Sequence, residues 1–448
     1  MDVTRVASAR HGSVRRRRRD ATRPTTMRST PTAMDAGPAA KASASRVRVG
    51  GARAGRRHAA RARARDDDDD APPGWSRRSA VLTPGVMLAS ASACARARAS
   101  TSTMDEDGRA RGEGGGGRRR RRGGKAIGDI GEIGLGCWSW GNTFLWEYDA
   151  SMDPELERVF NRAVERGVRL FDTADSYGTG SGFDGRSEVL LGEFKKRCAS
   201  DKANEVILAT KLAPFPWRVT SGAFVEAAKE SRKRLQVDSI ALGQLHWSTG
   251  NYQPLQEGAL WAGIADAYDQ GIIDGVGLSN YGPKQLRKIH KYMTNRGVPI
   301  STLQVQYSLL SRFPELNGTK ETCDELGIKL IAYSPLALGL LTGKYSAENP
   351  PPGLRGFAYK DVLPPLPTLL ETMREVGDVH GGKTLPQVAL NWCMCKDTVP
   401  IPGAKNLKQL DDNLGALGWR LSASEIEGLD RAAERVGKSV SQNVFQTA

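Results

Sequence analysis

The stretch VRLFDTADSYG, residues 168–178, runs from an apolar segment into an acid, Asp172, and reaches a phenol, Tyr177, just before Gly178. Residues 168–171 read as a buried strand that delivers Asp172 into an active loop. An acid and a Tyr at this spacing are weak evidence alone; a solvated carboxylate beside a half-buried Tyr is the commoner meaning. What the rest of the chain brings to the same place decides the matter.

Outward from this stretch, apolar runs alternate with amphipathic segments. The pattern predicts helices over 153–167 (capped by Asp153), 187–198, 220–235 (capped by Thr220 or Ser221), 255–270, 284–296, 365–379 and 385–395. Between them, strands are predicted near 168–171, 206–210, 239–245, 273–278, 303–305, 329–332 and 399–401. The strands are continuously apolar, which implies parallel pairing with both faces covered. Seven or eight such units predict an α/β fold of the closed (β/α)8 TIM-barrel type. Asp172, Lys211, His246, Ser279, Asn280, Gln304, Tyr333 and Gly403 all fall at carboxyl ends of these strands. In a barrel those ends form one rim, where active sites are built.

Composition divides the 448 residues near Lys125. Residues 1–125 carry 30 Lys and Arg against 12 Asp and Glu, and residues 126–448 carry 35 against 38. The chain's net +15 is therefore +18 in the tail and −3 in the body. The tail is Arg-, Ala-, Ser- and Gly-rich without apolar periodicity and is expected to be disordered, while residues 126–448 suffice for a single barrel. Its acid-poor start fits an organelle transit peptide. No aromatic separates the arginines between Arg15 and Arg65, so no nucleic-acid partner is expected. Arg77 and Arg78 precede a short apolar run that resembles a twin-arginine export signal, although Pro84 and Gly85 interrupt it. No stretch approaches the ~20 apolar residues that span a bilayer. The six cysteines, Cys94, Cys137, Cys198, Cys323, Cys393 and Cys395, have no metal or framework spacing, so free thiols in a reducing compartment and no metal are expected. The run GLLTGKY (339–345) is no phosphate-binding P-loop: Leu338 stands where the first glycine belongs, and Tyr345 follows the Lys.

An acid, a phenol, an amine and an imidazole on one rim suit carbonyl reduction. A carbonyl receiving hydride develops an oxyanion that needs a proton, and Tyr177 is the candidate general acid. Lys211 is expected to lower the phenol's pKa, Asp172 to keep Lys211 charged and placed, and His246 to orient the carbonyl oxygen.

The motifs GLGCWSWG, FDTADSYG, ILATK, QLHW, VGLSNYG, LQVQYSLL, IAYSPL and IPGAK occur in order from Gly131 onward and resemble the aldo-keto reductase family. The resemblance implies an NADPH-dependent barrel whose catalytic tetrad falls on Asp172, Tyr177, Lys211 and His246. It implies that Ser279, Asn280 and Gln304 hold the nicotinamide carboxamide and that Tyr333 stacks on the ring. Residues 334–344, with Ser334, Leu336 and Lys344, and the loop from Gly403 would meet the phosphates. Lys405 and Gln409 would face the 2′-phosphate, and Asp412 and Asn413 the adenine. Some relatives carry Lys-Ser and Arg where this chain has Gly403-Ala404 and Gln409, so the preference for NADPH rests on Lys405.

A narrower resemblance within the family, carried by TADSYGTG, LAPFPWRVTSG, GQLHWST, CDELGIKLIAYSPL and the ending QNVFQTA, implies reduction of pyridoxal to pyridoxine in the chloroplast. The stroma is the expected place and the thylakoid a lesser one; a monomer or weak oligomer is expected. A small aromatic aldehyde can stack between Trp140, Trp146, Trp217 and Trp247. Trp140 and Trp247 follow strands directly and are preferred. Two other functions stay open: a broad reductase of reactive carbonyls, and a cofactor-sensing barrel with little turnover, against which the intact tetrad argues.

Overall fold

The computed structural model describes residues 127–178, 185–440 and 443–447. The tail's expected disorder, its transit peptide, the twin-arginine segment and Cys94 lie outside these residues. Eight parallel strands pair in sequence order: β1 (Leu135–Gly136), β2 (Leu170–Asp172), β3 (Ile207–Leu212), β4 (Leu242–Leu245), β5 (Val276–Ser279), β6 (Ile300–Gln306), β7 (Lys329–Tyr333) and β8 (Val399–Pro400). The first and last strand segments meet: Gly134 N donates to Pro400 O at 3.0 Å, and Gly136 N to Pro402 O at 3.1 Å. Gly136 permits this closure, because a Cβ there would stand 2.8 Å from Ile401 O.

Helices α1 (Asp153–Glu165), α2 (Arg186–Arg197), α3 (Ser221–Leu235), α4 (Pro254–Asp269), α5 (Pro283–Arg296) and α6 (Thr319–Leu326) alternate with the strands up to β7. Helices α7 (Leu366–Val379) and α8 (Leu385–Cys395) precede β8, and α9 (Leu407–Leu414) and α10 (Ala423–Arg435) follow it. Helix α1 buries Leu156, Val159, Phe160, Ala163 and Val164, the face its spacing predicts. Thr220 caps α3 through Ala223 N. The expected cap on α1 differs: Met152 holds the N-cap position, and Asp153 sits in the first turn, where Tyr148 Oη donates to it at 2.6 Å and Arg186 pairs with it.

The strands form because both faces are covered; β2 and β4 are buried throughout. The two-residue period of a strand then stacks the barrel interior in layers. The lower layer is apolar, with Leu170, Ala209, Leu242, Ile331 and Val399 packed together over Ile130. Two residues further along β2, β3 and β4 come Asp172, Lys211 and Gln244, all buried, joined by Gln304 from β6. Gly277 makes room for this polar layer: a Cβ there would meet Thr302 Oγ1 at 2.4 Å and Gln244 Cγ at 2.9 Å. Outside the barrel, one large core lies between strands and helices, and a second joins α7, α8 and α10 to the loop after β7 through Leu340, Leu341, Met373, Trp392 and Leu429. Among the described residues, no helix is long and apolar enough to cross a membrane.

Candidate active site

The polar layer opens at the rim into a connected set. Backbone bonding from β3 continues past the end of β2, with Thr173 N donating to Ala209 O at 2.8 Å and Asp175 N to Lys211 O at 3.0 Å. A turn with Tyr177 N on Ala174 O then returns the phenol over β3. The Lys211 ammonium donates to Asp172 Oδ1 at 2.5 Å, Thr173 O at 2.8 Å and Tyr177 Oη at 3.1 Å. Three bonds satisfy all three of its N–H donors, as its burial at 1% exposure demands. The other oxygen of Asp172 accepts from Gln244 Nε2 at 3.0 Å and Gln304 Nε2 at 2.7 Å.

These contacts fix the charge states. Burial works against the Lys211 charge, but Asp172, with Tyr177, holds its pKa above the ordinary value. Burial likewise raises the Tyr177 phenol, while Lys211 pulls it down without cancelling that rise. The expected fall toward neutral pH is therefore absent: Lys211 acts in the expected direction, but desolvation outweighs it, and the phenol stays protonated. Burial, and then the Lys211 charge, push His246 well below its ordinary range, so its ring is neutral. Ser176 Oγ lies 3.3 Å from His246 Nδ1, and the His246 and Tyr177 rings meet edge to face at 5.7 Å.

The far side of the rim holds the residues proposed for a cofactor. Asn280 has φ 61°, a left-handed conformation unusual outside glycine. Its amide donates to His246 O and Ser279 Oγ, both at 3.0 Å, and its Oδ1 accepts from Tyr333 Oη at 2.9 Å. Gln304 is committed to Asp172, a partner that the sequence did not indicate. After β7, Ser334, Ala337, Leu338 and Gly339 all have positive φ, which strains the three that are not glycine, with Leu336 half-buried and Lys344 exposed. At the start of α9, Gly403 is exposed, Lys405 Nζ donates to Trp146 O at 3.4 Å, and Gln409 Oε1 accepts from Lys405 N. Asn413 Nδ2 donates to Gly403 O, while Asp412 accepts from Thr384 and Gln387 at the start of α8.

The aromatic wall needs one correction. Trp140 is fully buried, its indole N–H donating to Ala404 O at 3.0 Å and its ring packed on Phe194, so it belongs to the core and not to the pocket. Trp138 stands in its place, half-buried, 6.4 Å from the Tyr177 ring and edge-on to Trp146 at 5.8 Å. Trp247 adjoins His246 at 4.8 Å and stacks on Phe445 at 4.4 Å. Trp217 is 51% exposed and stacks on Phe215.

Other contributors were not visible in the sequence. Asp175 ties the two rim loops together: it accepts from Ala213 N at 3.1 Å and pairs with Arg218 at 2.5 Å. Buried Glu257 accepts from Ser248, Thr249, Trp261 and Gln285, and so anchors the loop that carries His246 and Trp247. The polar partners of a buried carboxylate come from several elements, and no local spacing announces them.

The fold is an α/β barrel whose rim joins Asp172, Lys211 and Tyr177 in one hydrogen-bonded set. Residues 132–434 match the aldo/keto reductase family, and the chain belongs to that family of oxidoreductases. It is 53% identical over 320 residues to the protein named pyridoxal reductase, chloroplastic, of Arabidopsis thaliana, a match spanning 71% of this chain and 87% of that one. Among solved structures, it resembles a thermostable aldo-keto reductase in complex with the inhibitor epalrestat, at 28% identity and a TM-score of 0.54, covering 68% of this chain and 95% of that one. An aldo-keto reductase from Klebsiella pneumoniae in complex with NADPH shares the fold at 23% identity and a TM-score of 0.53, covering 71% and 95%.

Proposed function

We propose that this enzyme reduces pyridoxal to pyridoxine with NADPH. The observation that carries the reading is the buried bond chain from Asp172 through Lys211 to Tyr177 Oη, opening beside a neutral His246. His246 donates to the aldehyde oxygen and orients it. As the carbonyl carbon is reduced, Tyr177 Oη gives its proton to the developing alkoxide. The phenolate left behind is stabilised by the Lys211 ammonium at 3.1 Å, and Asp172 keeps that ammonium charged and in place. Trp138, Trp146 and Trp247 offer ring faces and edges for an aromatic aldehyde.

The residues across the rim fit a nicotinamide dinucleotide. Ser279, Asn280 and Tyr333 offer amide, hydroxyl and ring contacts for the nicotinamide. The loop with positive φ at Ser334 and from Ala337 to Gly339 would offer backbone N–H groups to the pyrophosphate. Lys405, beside the Asn406-capped start of α9, would meet the 2′-phosphate, with Gln409, Asp412 and Asn413 further along. Bound there, the cofactor supplies the hydride.

The same reading makes residues 1–125 a basic leader and residues 126–448 the catalytic domain, and places the enzyme in the plastid. The tail composition and the plant relative support this. Steady-state NADPH oxidation on an aldehyde panel tests the substrate. Pyridoxal is expected to give the highest kcat/KM. Equal values for nitrobenzaldehyde or methylglyoxal overturn the assignment in favour of a broad carbonyl reductase, and no turnover with any aldehyde favours a sensor.

A further inference from the structure

The last residues of the chain return to the rim. Val440 N donates to Leu310 O at 2.9 Å and anchors the approach. Asn443 Nδ2 then donates to Tyr333 Oη at 3.1 Å. Phe445 stacks on Trp247, the residue next to His246, with the rings 16° from parallel. Thr447, buried, donates through its backbone N to Asn280 O at 3.2 Å and accepts through Oγ1 from Gly282 N at 2.8 Å. The segment therefore touches residues at or just past the ends of β4, β5 and β7: Trp247 beside the proposed aldehyde site, and Asn280 and Tyr333 of the proposed nicotinamide site.

The bonds form a one-way chain. A phenol has a single hydrogen, and Tyr333 gives it to Asn280 Oδ1, so Asn443 must be the donor to Tyr333. Asn280 in turn donates to His246 O, which completes the path Asn443, Tyr333, Asn280, His246. The tail also addresses a conformational problem. A left-handed backbone is uncommon outside glycine, and although asparagine adopts it more readily than most residues, it is held best where its own N–H and C=O are both bonded. Asn280 N is held by Gln304 O at 3.0 Å and its O by Thr447 N, so the tail supplies one of the two backbone restraints.

We propose that Asn443 and Thr447 are positioning residues for the reduction, and that the C-terminal segment fixes Tyr333 and Asn280 in the arrangement that receives the nicotinamide. The proposal rests on the assignment of those two residues to the nicotinamide. Phe445 supplies apolar contact on Trp247, and the polar bonds to two ring-site residues serve orientation.

The test compares the full chain with Asn443→Ala, Thr447→Val, Thr447→Ser and Val444→Ala, reading NADPH Kd by tryptophan fluorescence, then kcat and KM for pyridoxal, with melting temperature alongside. Loss of one hydrogen bond predicts an NADPH Kd raised about threefold to tenfold in Asn443→Ala and in Thr447→Val, with kcat lowered and aldehyde KM little changed. Thr447→Ser keeps the hydroxyl and is expected to restore wild-type values. Val444, whose side chain is exposed in the same segment, is expected to tolerate Ala without change. Wild-type Kd and kcat in Asn443→Ala and Thr447→Val, whatever their melting temperatures, overturn the tail's role. Failure of the wild-type chain itself to bind NADPH overturns the nicotinamide assignment instead.

Discussion

On the β2–β4 side of the rim, charged groups are buried and already paired with one another; on the β7–β8 side, the polar groups are open and the backbone is strained. Lys211 and Asp172 are 1% and 2% exposed and share a direct bond, whereas Lys344, Gly403 and Gln409 face outward. The buried pair is a poor source of stability, because desolvation offsets much of its attraction. In the proposed mechanism its value lies in holding a fixed field at Tyr177 Oη, with no reorganisation left to do. The open side has the opposite character. Ser334, Ala337 and Leu338 have left-handed backbones in a loop that the burial of Ala337, Leu340 and Leu341 in the second core holds in place. In the proposed function, one side serves the chemistry and the other the grip on the cofactor.

Substitutions that separate rate from binding sharpen this contrast. The largest effect is expected at Tyr177: Tyr177→Phe should lower kcat by about 10²-fold or more, with NADPH Kd changed by less than about twofold. Next comes Lys405→Ala, which should raise NADPH Kd about tenfold through loss of one charge-assisted hydrogen bond, leaving NADH Kd and kcat unchanged. Equal losses for NADPH and NADH would remove Lys405 from the phosphate site.

The smallest effect concerns pH. The folded chain holds His246 below its unfolded pKa of about 6.5, so the unfolded chain binds the extra proton. The stability this provides is present above that value and lost as pH falls through and below it. Melting temperature should therefore fall less steeply between about pH 6.5 and pH 5 in His246→Gln than in wild type. Parallel curves would remove His246 from the buried, neutral role.

Much of the barrel was legible in the sequence because parallel strands covered on both faces are largely apolar and several run out into a polar residue, as β2 does at Asp172 and β5 at Ser279. The strand around Leu170 and Phe171 and the helix around Val159 and Ala163 follow directly from pattern. Periodicity fails where the chain leaves regular structure. Strand β1 is two residues long, so nothing in the turn after it tells whether Trp138 or Trp140 faces inward. The sign of Lys211's effect on Tyr177 was readable from charge, but the larger effect of burial depends on how much protein covers the phenol. Asn443 and Thr447 lie in a segment with no period at all, and only tertiary contact reveals them.

The claim that the two sides divide the labour is tested most directly by combining Tyr177→Phe with Lys405→Ala. Single turnover at saturating NADPH reads the chemistry, and a titration of the same protein reads the grip. The account predicts that the double variant shows the rate of Tyr177→Phe and the NADPH Kd of Lys405→Ala, so that the two losses add in free energy without coupling. A rate or a Kd that departs from the single-variant value by more than about threefold would show that the two sides act as one unit, and would contradict it.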